Sequence, residues 1–195
     1  MENLLNLENI ANPEKLEKIT NWNEIKDCVK IEFERRVDGK MYIYLKPILN
    51  DLSLGSRLSF VRQFRELTQD DVAEYLGLEG ENKRRTITRY ETNERIPNIE
   101  RLKDLRRLFN VNINSIKPYN FKSLEDNVYI LLWMEELYPD SFKFFEIFEH
   151  HNTNENLIMM RFSDKWKEMR EKRRNREITW DEYIEWKLNY QIKEE

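Results

Sequence analysis

The sequence predicts a mainly α-helical protein with one β-hairpin near its N-terminus, and three observations lead there. From Leu54 onward, apolar residues recur at spacings of three and four, punctuated by helix-capping residues. Before that point, two runs alternate apolar with polar residues around Asp38-Gly39. The 195 residues are 39% hydrophobic and 12% aromatic, enough for a core of ordinary size and too apolar for a disordered chain. The expected organisation is a small α+β unit over residues 1–53 with its hairpin at 29–47, a compact helical domain over 54–117, and a helical region over 118–195.

In the first unit, Asn12-Pro13-Glu14 reads as a helix start, with Asn at the cap and Pro at the first helical position, leading into Leu16 and Ile19. A second short helical stretch, Asn23 to Asp27, follows. Then the period becomes two. Val29, Ile31 and Phe33 alternate with Lys30, Glu32 and Glu34, and Met41, Ile43 and Leu45 alternate with Tyr42 and Tyr44. A lone hairpin is marginal in water, so its apolar face is expected to cover another part of the protein.

In the last unit, Ser123 can cap a helix carrying Val128, Leu131, Leu132 and Leu137, ended at Tyr138-Pro139. Phe142, Phe145 and Phe148, joined by Phe144 and Ile147, mark the next helix, and a third is expected from near Asn156 to Arg174. Its basic run Lys165, Lys167, Arg170, Lys172, Arg173, Arg174, Arg176 is interleaved by Glu168, Glu171 and Glu177, the pattern of a salt-bridged surface helix. Thr179-Trp180-Asp181-Glu182 fits a capping box and opens a final helix. That helix is apolar along two lines, Trp180-Ile184-Leu188 and Tyr183-Trp186-Tyr190, so it is buried on two sides or serves an interface; dimerisation or partner binding is the favoured expectation.

The middle unit is the basic part of an acidic protein. Residues 54–117 carry thirteen Lys and Arg against ten Asp and Glu, a local +3, while residues 1–53 stand at −2 and 118–195 at −5. Within it, Thr68-Gln69-Asp70-Asp71 caps a short helix with an apolar face of Val72, Ala73 and Leu76, and Gly77 supplies the freedom for a turn. A second short helix runs from about Lys83 to Glu91, inward through Ile87 and Tyr90 and outward through Arg84, Arg85, Thr88 and Arg89. Two short helices about a turn, the second basic on its outer face, describe a helix-turn-helix with its reading helix.

The combined pattern Leu58…Val61-Arg62, Leu67-Thr68-Gln69…Val72-Ala73…Leu76-Gly77, Ile87…Arg89-Tyr90-Glu91…Pro97 and Leu102…Leu105…Phe109-Asn110-Val111…Ile113…Ile116 resembles the XRE/Cro/lambda-repressor family of helix-turn-helix domains. The resemblance covers about sixty of the 195 residues. It implies a five-helix domain that places its third helix in the major groove of double-stranded DNA, commonly as a homodimer on a two-fold symmetric operator. By the same resemblance, Arg84, Arg85, Thr86 and Arg89 fall where the reading helix meets base edges, with Thr88 beside them. Arginine there can donate two hydrogen bonds to guanine. Gln69 matches a phosphate-anchoring position at a helix N-terminus, Lys83 joins it, and Thr92, Asn93 and Arg95 lie in the backbone-touching loop. Arg62 and Glu91 match a structural ion pair. Two departures stand out. Nine residues, Leu78 to Thr86, separate Gly77 from Ile87 where the family has five, and Asn93 and Asn110 replace glycines at positions where asparagine tolerates a left-handed backbone.

Other chemistries are poorly represented. Cys28 is the only cysteine and reads as a small apolar filler, which excludes disulfide scaffolds and cysteine-built zinc sites. His150 and His151 are adjacent and project apart, so no metal site and no cofactor are expected. There is no Gly-rich phosphate loop, nucleophile elbow or His–carboxylate set, hence no catalytic residue to nominate. The apolar stretch Tyr129 to Met134 is far short of a membrane span, and Met1-Glu2-Asn3 lacks the layout of a secretory signal. A cytoplasmic location follows. Scarce alanine and glycine beside abundant Asn, Ile, Lys and Glu match an AT-rich genome. The resemblance therefore implies a transcriptional regulator, a repressor of a bacterial, phage or mobile-element operon. The alternative is an inhibitor that binds a protein through its acidic, aromatic C-terminal helices, such as an anti-CRISPR-like inhibitor of host defence or an antitoxin, with the helix-turn-helix serving autoregulation.

Overall fold

The structure, a computed structural model, describes residues 10–12, 14–15, 29–80, 82–138 and 154–192, with side chains of the last segment from Leu157. Most of the expected first helix, the stretch Asn23 to Asp27, Cys28, the helix of Phe142, Phe145 and Phe148, and His150-His151 lie outside the described residues. The described elements run β1 (Val29–Arg35), β2 (Met41–Pro47), α1 (Leu54–Phe64), α2 (Gln69–Tyr75), α3 (Lys83–Glu91), α4 (Ile99–Phe109), a 3₁₀ turn (Ile113–Ser115), α5 (Leu124–Leu137), α6 (Asn154–Arg174) and α7 (Trp180–Asn189).

Local chemistry explains the boundaries. Side chains at Ser53, Thr68, Asn98, Ser123 and Thr179 each accept a hydrogen bond from a first-turn backbone N–H, and Thr68/Asp71 and Thr179/Glu182 form complete capping boxes. Asn110 ends α4 in the left-handed region, at φ 49°. The 3₁₀ turn stands in the place of a fifth helix after α4. The hairpin pairs Phe33 with Ile43 and Glu32 with Tyr44, and Gly39 turns it at φ 81°.

The hairpin docks by a face other than the one its alternation favours. Tyr44, fully buried, lies edge-on to Trp180 of α7 at 6.0 Å, and the Lys46 ammonium sits 5.3 Å from the Trp180 ring centre. Glu34, on the same side of the sheet, pairs with Arg173, and Lys15 pairs with Asp181 at 2.6 Å. Tyrosines bury a large ring while keeping a polar tip, so a tyrosine face can pack as well as an aliphatic one. Ile43, on the opposite face, is also fully buried.

The main core joins α1–α4 to α7. Val61, Val72, Ala73 and Ile87 share it with Trp180, Ile184 and Leu188. Arg65, at the end of α1, donates to the Phe109 carbonyl at 2.5 Å and to Asn110 O at 3.2 Å while pairing with Glu185 of α7. The second apolar line of α7 faces a cluster from α5 and α6: Tyr183 is buried with Tyr129, Leu132, Phe162 and Trp166, and Trp186 and Tyr190 pack at its edge. Both lines of α7 are thus covered within the chain. Of the two readings that its apolar breadth allows, burial on two sides is the one seen, because one helix closes two cores.

Buried charged groups at two places hold this arrangement. Arg57, 1% exposed, donates from its Nη atoms to the carbonyls of Ser115 and Lys117 at 2.8 and 2.9 Å and stacks 3.9 Å from the Tyr119 ring centre. Burial lowers its pKa from the ordinary arginine value. Glu135 of α5 accepts from Lys187 Nζ at 2.9 Å, Tyr183 Oη at 2.7 Å and Trp166 Nε1 at 3.1 Å, and pairs with Arg170 at 2.9 Å. Burial alone would raise its pKa; Lys187, the Tyr183 hydroxyl and Arg170 outweigh that and hold it below the usual carboxylate range. Lys187 also meets Glu136 at 2.7 Å.

Candidate nucleic-acid interface

The outer face of α3 begins with how its ends are fixed. At the end of α2, Gly77 adopts φ 65°, its N–H reaching Glu74 O at 2.9 Å while Leu78 N–H reaches Ala73 O at 2.9 Å. This is a Schellman turn, closed by Leu78 packing back on the core. The lengthened connection then turns again at Gly80, φ 88°, and Lys83 N–H donates to Gly80 O at 3.2 Å as α3 starts. Arg101 of α4 caps the carbonyl end of α2 through Leu76 O at 2.5 Å.

The other end of α3 is pressed against the start of α1. A Cβ on Gly55 would stand 2.4 Å from Glu91 O and 2.7 Å from Tyr90 O. Only glycine allows the carbonyl end of α3 to approach the N–H end of α1 so closely, where the two helix dipoles complement each other. Asn93, at φ 61°, completes the junction: its side-chain oxygen accepts from Gly55 N–H at 2.7 Å and its amide donates to Ser53 Oγ at 2.8 Å. Its side chain is therefore committed to α1, although Thr92 and Arg95 beside it are exposed.

A polar chain crosses from α1 to α3. Arg62 donates to both oxygens of Glu91, at 2.5 and 2.9 Å, and to Leu67 O at 2.8 Å. The two side chains keep only 12% and 10% of their surface exposed. Gln69 Nε2 donates to Glu91 Oε2 at 2.8 Å, and Gln69 Oε1 accepts from Arg84 Nε at 3.0 Å and Thr88 Oγ1 at 3.1 Å. The α2 N-terminus itself is served by Asp71, whose pKa is pushed below the usual range by hydrogen bonds from the Thr68 hydroxyl and N–H.

On the outer face, Arg84, Arg85 and Arg89 are exposed, Lys83, Thr86 and Thr88 are half-buried, and Ile87 and Tyr90 point into the core. Arg89 makes a loose 3.7 Å contact with Glu94 on an exposed surface, a pairing that water weakens. Three guanidiniums thus share one helix face, each on a backbone fixed by buried neighbours. Exposed guanidiniums on a helix match the donor geometry of guanine edges and phosphate oxygens. The contributions of Gly55 and Arg101 were missed by sequence reasoning, and only the first left a trace there, as a glycine inside an otherwise ordinary helix. Among the described residues, no group of three or more His, Cys, Asp or Glu is placed to hold a metal, and no helix is long and apolar enough to cross a membrane.

A family model described as a helix-turn-helix domain matches residues 55–118, about a third of the chain. These residues are a helix-turn-helix domain of the XRE type. No curated protein and no solved structure shows a significant match.

Proposed function

We propose that this protein is a cytoplasmic, non-enzymatic transcriptional regulator that binds double-stranded DNA in a sequence-specific manner and represses an operon of a bacterium, phage or mobile element. The observation that carries the reading is the face of α3, where Arg84, Arg85 and Arg89 stand exposed on a helix clamped at both ends. In this reading α3 enters the major groove. Arg84, Arg85 and Arg89 donate to base edges, with Thr86 and Thr88 alongside, each good bidentate contact contributing about 1–3 kcal/mol of discrimination. Lys83, Thr92, Arg95 and the backbone around Asn93 meet phosphates, which set register and carry most of the salt dependence. Two copies on a two-fold site would repress by occluding a promoter.

Selection of bound sequences from a random duplex pool tests this, with affinity for the winner measured at two salt concentrations. The expected outcome is a palindromic winner bound roughly a thousandfold or more above bulk DNA. Weak, sequence-blind binding that vanishes in moderate salt would reduce the activity to phosphate attraction and sink the proposal.

A further inference from the structure

We propose that the cleft between the start of α1, the loop after α3 and the segment leading into α5 binds a small amphipathic anion, an apolar or aromatic body carrying one carboxylate. The proposal stands apart from the DNA-binding reading of α3, and its test uses no DNA. The cleft measures about 310 Å³, with walls from Leu52, Ile96, Pro118, Tyr119, Phe121 and Ile130. Small-molecule sites run from about 300 Å³ upward and are mostly apolar with a few fixed polar groups. Ile96 and Phe121 are 66% and 70% exposed, so the rim of the cleft presents large apolar side chains to water.

Charge and strain together define the occupant. Among the described residues that line the cleft, Arg57 carries the only charge, and it is buried. Its guanidinium ends on the backbone carbonyls of Leu52, Ser53, Ser115 and Lys117, and no carboxylate pairs with it among the described residues. Asp126, which acts on it at longer range, is already paired with Lys117 at 2.8 Å. A buried cation without a counter-ion is costly, and its field in the cleft is little screened, so an anion seated there is favoured. Phe121 supplies the strain, at φ 59°, a left-handed backbone that a bulky side chain rarely adopts. Its neighbour fixes it: Asn120 N–H donates to the Asp126 carboxylate at 2.9 Å, and Asn120 Oδ1 accepts from Lys122 N–H at 3.0 Å. The strained turn holds an aromatic ring at the mouth of the cleft with most of its surface in water, where the fold itself gains little from it. Ser53 and Asn93, which tie α1 to the loop after α3, stand in the same lining, so an occupant lies against the support of α3.

The test titrates the full chain with cinnamate and with its uncharged counterpart, cinnamyl alcohol, and follows backbone amide shifts. Saturable binding of cinnamate at about 1 mM or below is expected, with shifts confined to residues that line the cleft. Cinnamyl alcohol should bind about tenfold more weakly or worse, since it lacks the charge. Phe121→Gly and Ile96→Ser, both changes to exposed side chains, should each weaken cinnamate about five- to tenfold. Ile99→Ser, at an exposed isoleucine outside the cleft, should change nothing. Phe121→Gly should also unfold at or above the wild-type midpoint, because glycine accepts the left-handed backbone without strain. A lower midpoint would make the ring part of the fold and overturn its role as a ligand contact. No saturation in that range, equal affinity for acid and alcohol, or an equal loss in Ile99→Ser would each overturn the proposal. So would sedimentation that shows a dimer which Phe121→Gly dissociates, since the cleft would then belong to a second copy of the chain.

Discussion

Glu91 and Glu135 each sit at the hub of a polar network, and the two networks are finished differently. Around Glu135, Lys187, Tyr183 and Trp166 are buried, Lys187 to 4% exposure, and Arg170 reaches in from the half-buried edge. That network is closed: Lys187, Tyr183, Trp166 and Arg170 each reach the Glu135 carboxylate, which lies in the core between α5, α6 and α7. Around Glu91 the chain begins at a nearly buried pair with Arg62 but runs outward through Gln69 to the exposed Arg84. It is open, ending in donors that nothing among the described residues satisfies. A closed buried network fixes which helices meet; an open one carries the order of the interior to a surface that can meet a ligand.

The largest effect that would break this contrast is at the closed hub. Lys187→Ala leaves Glu136 and part of the Glu135 charge uncompensated in the core, so urea denaturation should report a loss of about 3–5 kcal/mol. A loss below about 1 kcal/mol would mean that water reaches Glu135 and the network is not closed. Arg84→Ala with Arg89→Ala probes the open end. Unfolding free energy should move by less than about 0.5 kcal/mol, as for other surface changes, while discrimination between the selected and bulk duplexes falls by about 1–3 kcal/mol per arginine. Equal damage to stability would make these arginines part of the fold.

Gly55→Ala sharpens the comparison, because it strikes the joint that supports the open network. With Glu91 O only 2.4 Å from the new methyl, α1 and α3 must separate, at a cost of about 1–3 kcal/mol. Here stability and DNA affinity should fall together, measured on the same sample by denaturation and by titration with the selected duplex. The smallest effect is acid sensitivity. Glu135 and Asp126 titrate below their usual values in the folded protein, so the unfolded chain binds more protons as the pH falls. Their stabilisation is complete above the ordinary carboxylate range and is lost as pH drops through the folded values. Denaturation midpoints should therefore be level from pH 7 to about 5 and decline below, with a shallower decline in Glu135→Gln.

Much of the fold was legible because its signals are local. Thr68 with Asp71, Ser123, and Thr179 with Glu182 announce helix starts within four residues of sequence, and Gly77 and Gly39 announce turns. The basic outer face of α3 was equally readable, since Ile87 and Tyr90 fix which side turns inward. What was hidden depends on distance along the chain. Nothing near Trp180 says that its ring will meet Tyr44 and Phe64, and nothing near Arg57 says that its guanidinium will end on Ser115 and Lys117 carbonyls. A glutamate on a helix looks the same whether it faces water or a buried lysine, so the Glu135 network left no trace in the periodicity. The breadth of the apolar surface on α7 was visible, but its destination was not: an interface between chains and a seam within one chain demand the same residues.

The seam that α7 closes also sets an order of events during synthesis. Helix-turn-helix contacts are mostly short in sequence and form quickly, yet Arg65 waits for Glu185, 120 positions later, and the core waits for Trp180, Ile184 and Leu188. A ribosome has to deliver α7 before α1 has its full set of neighbours. Chains broken off upstream of Trp180, by stalling or by a protease, would carry all of α3 and its arginines but lack that support. Incomplete products would then be poor rivals for the DNA sites of finished copies.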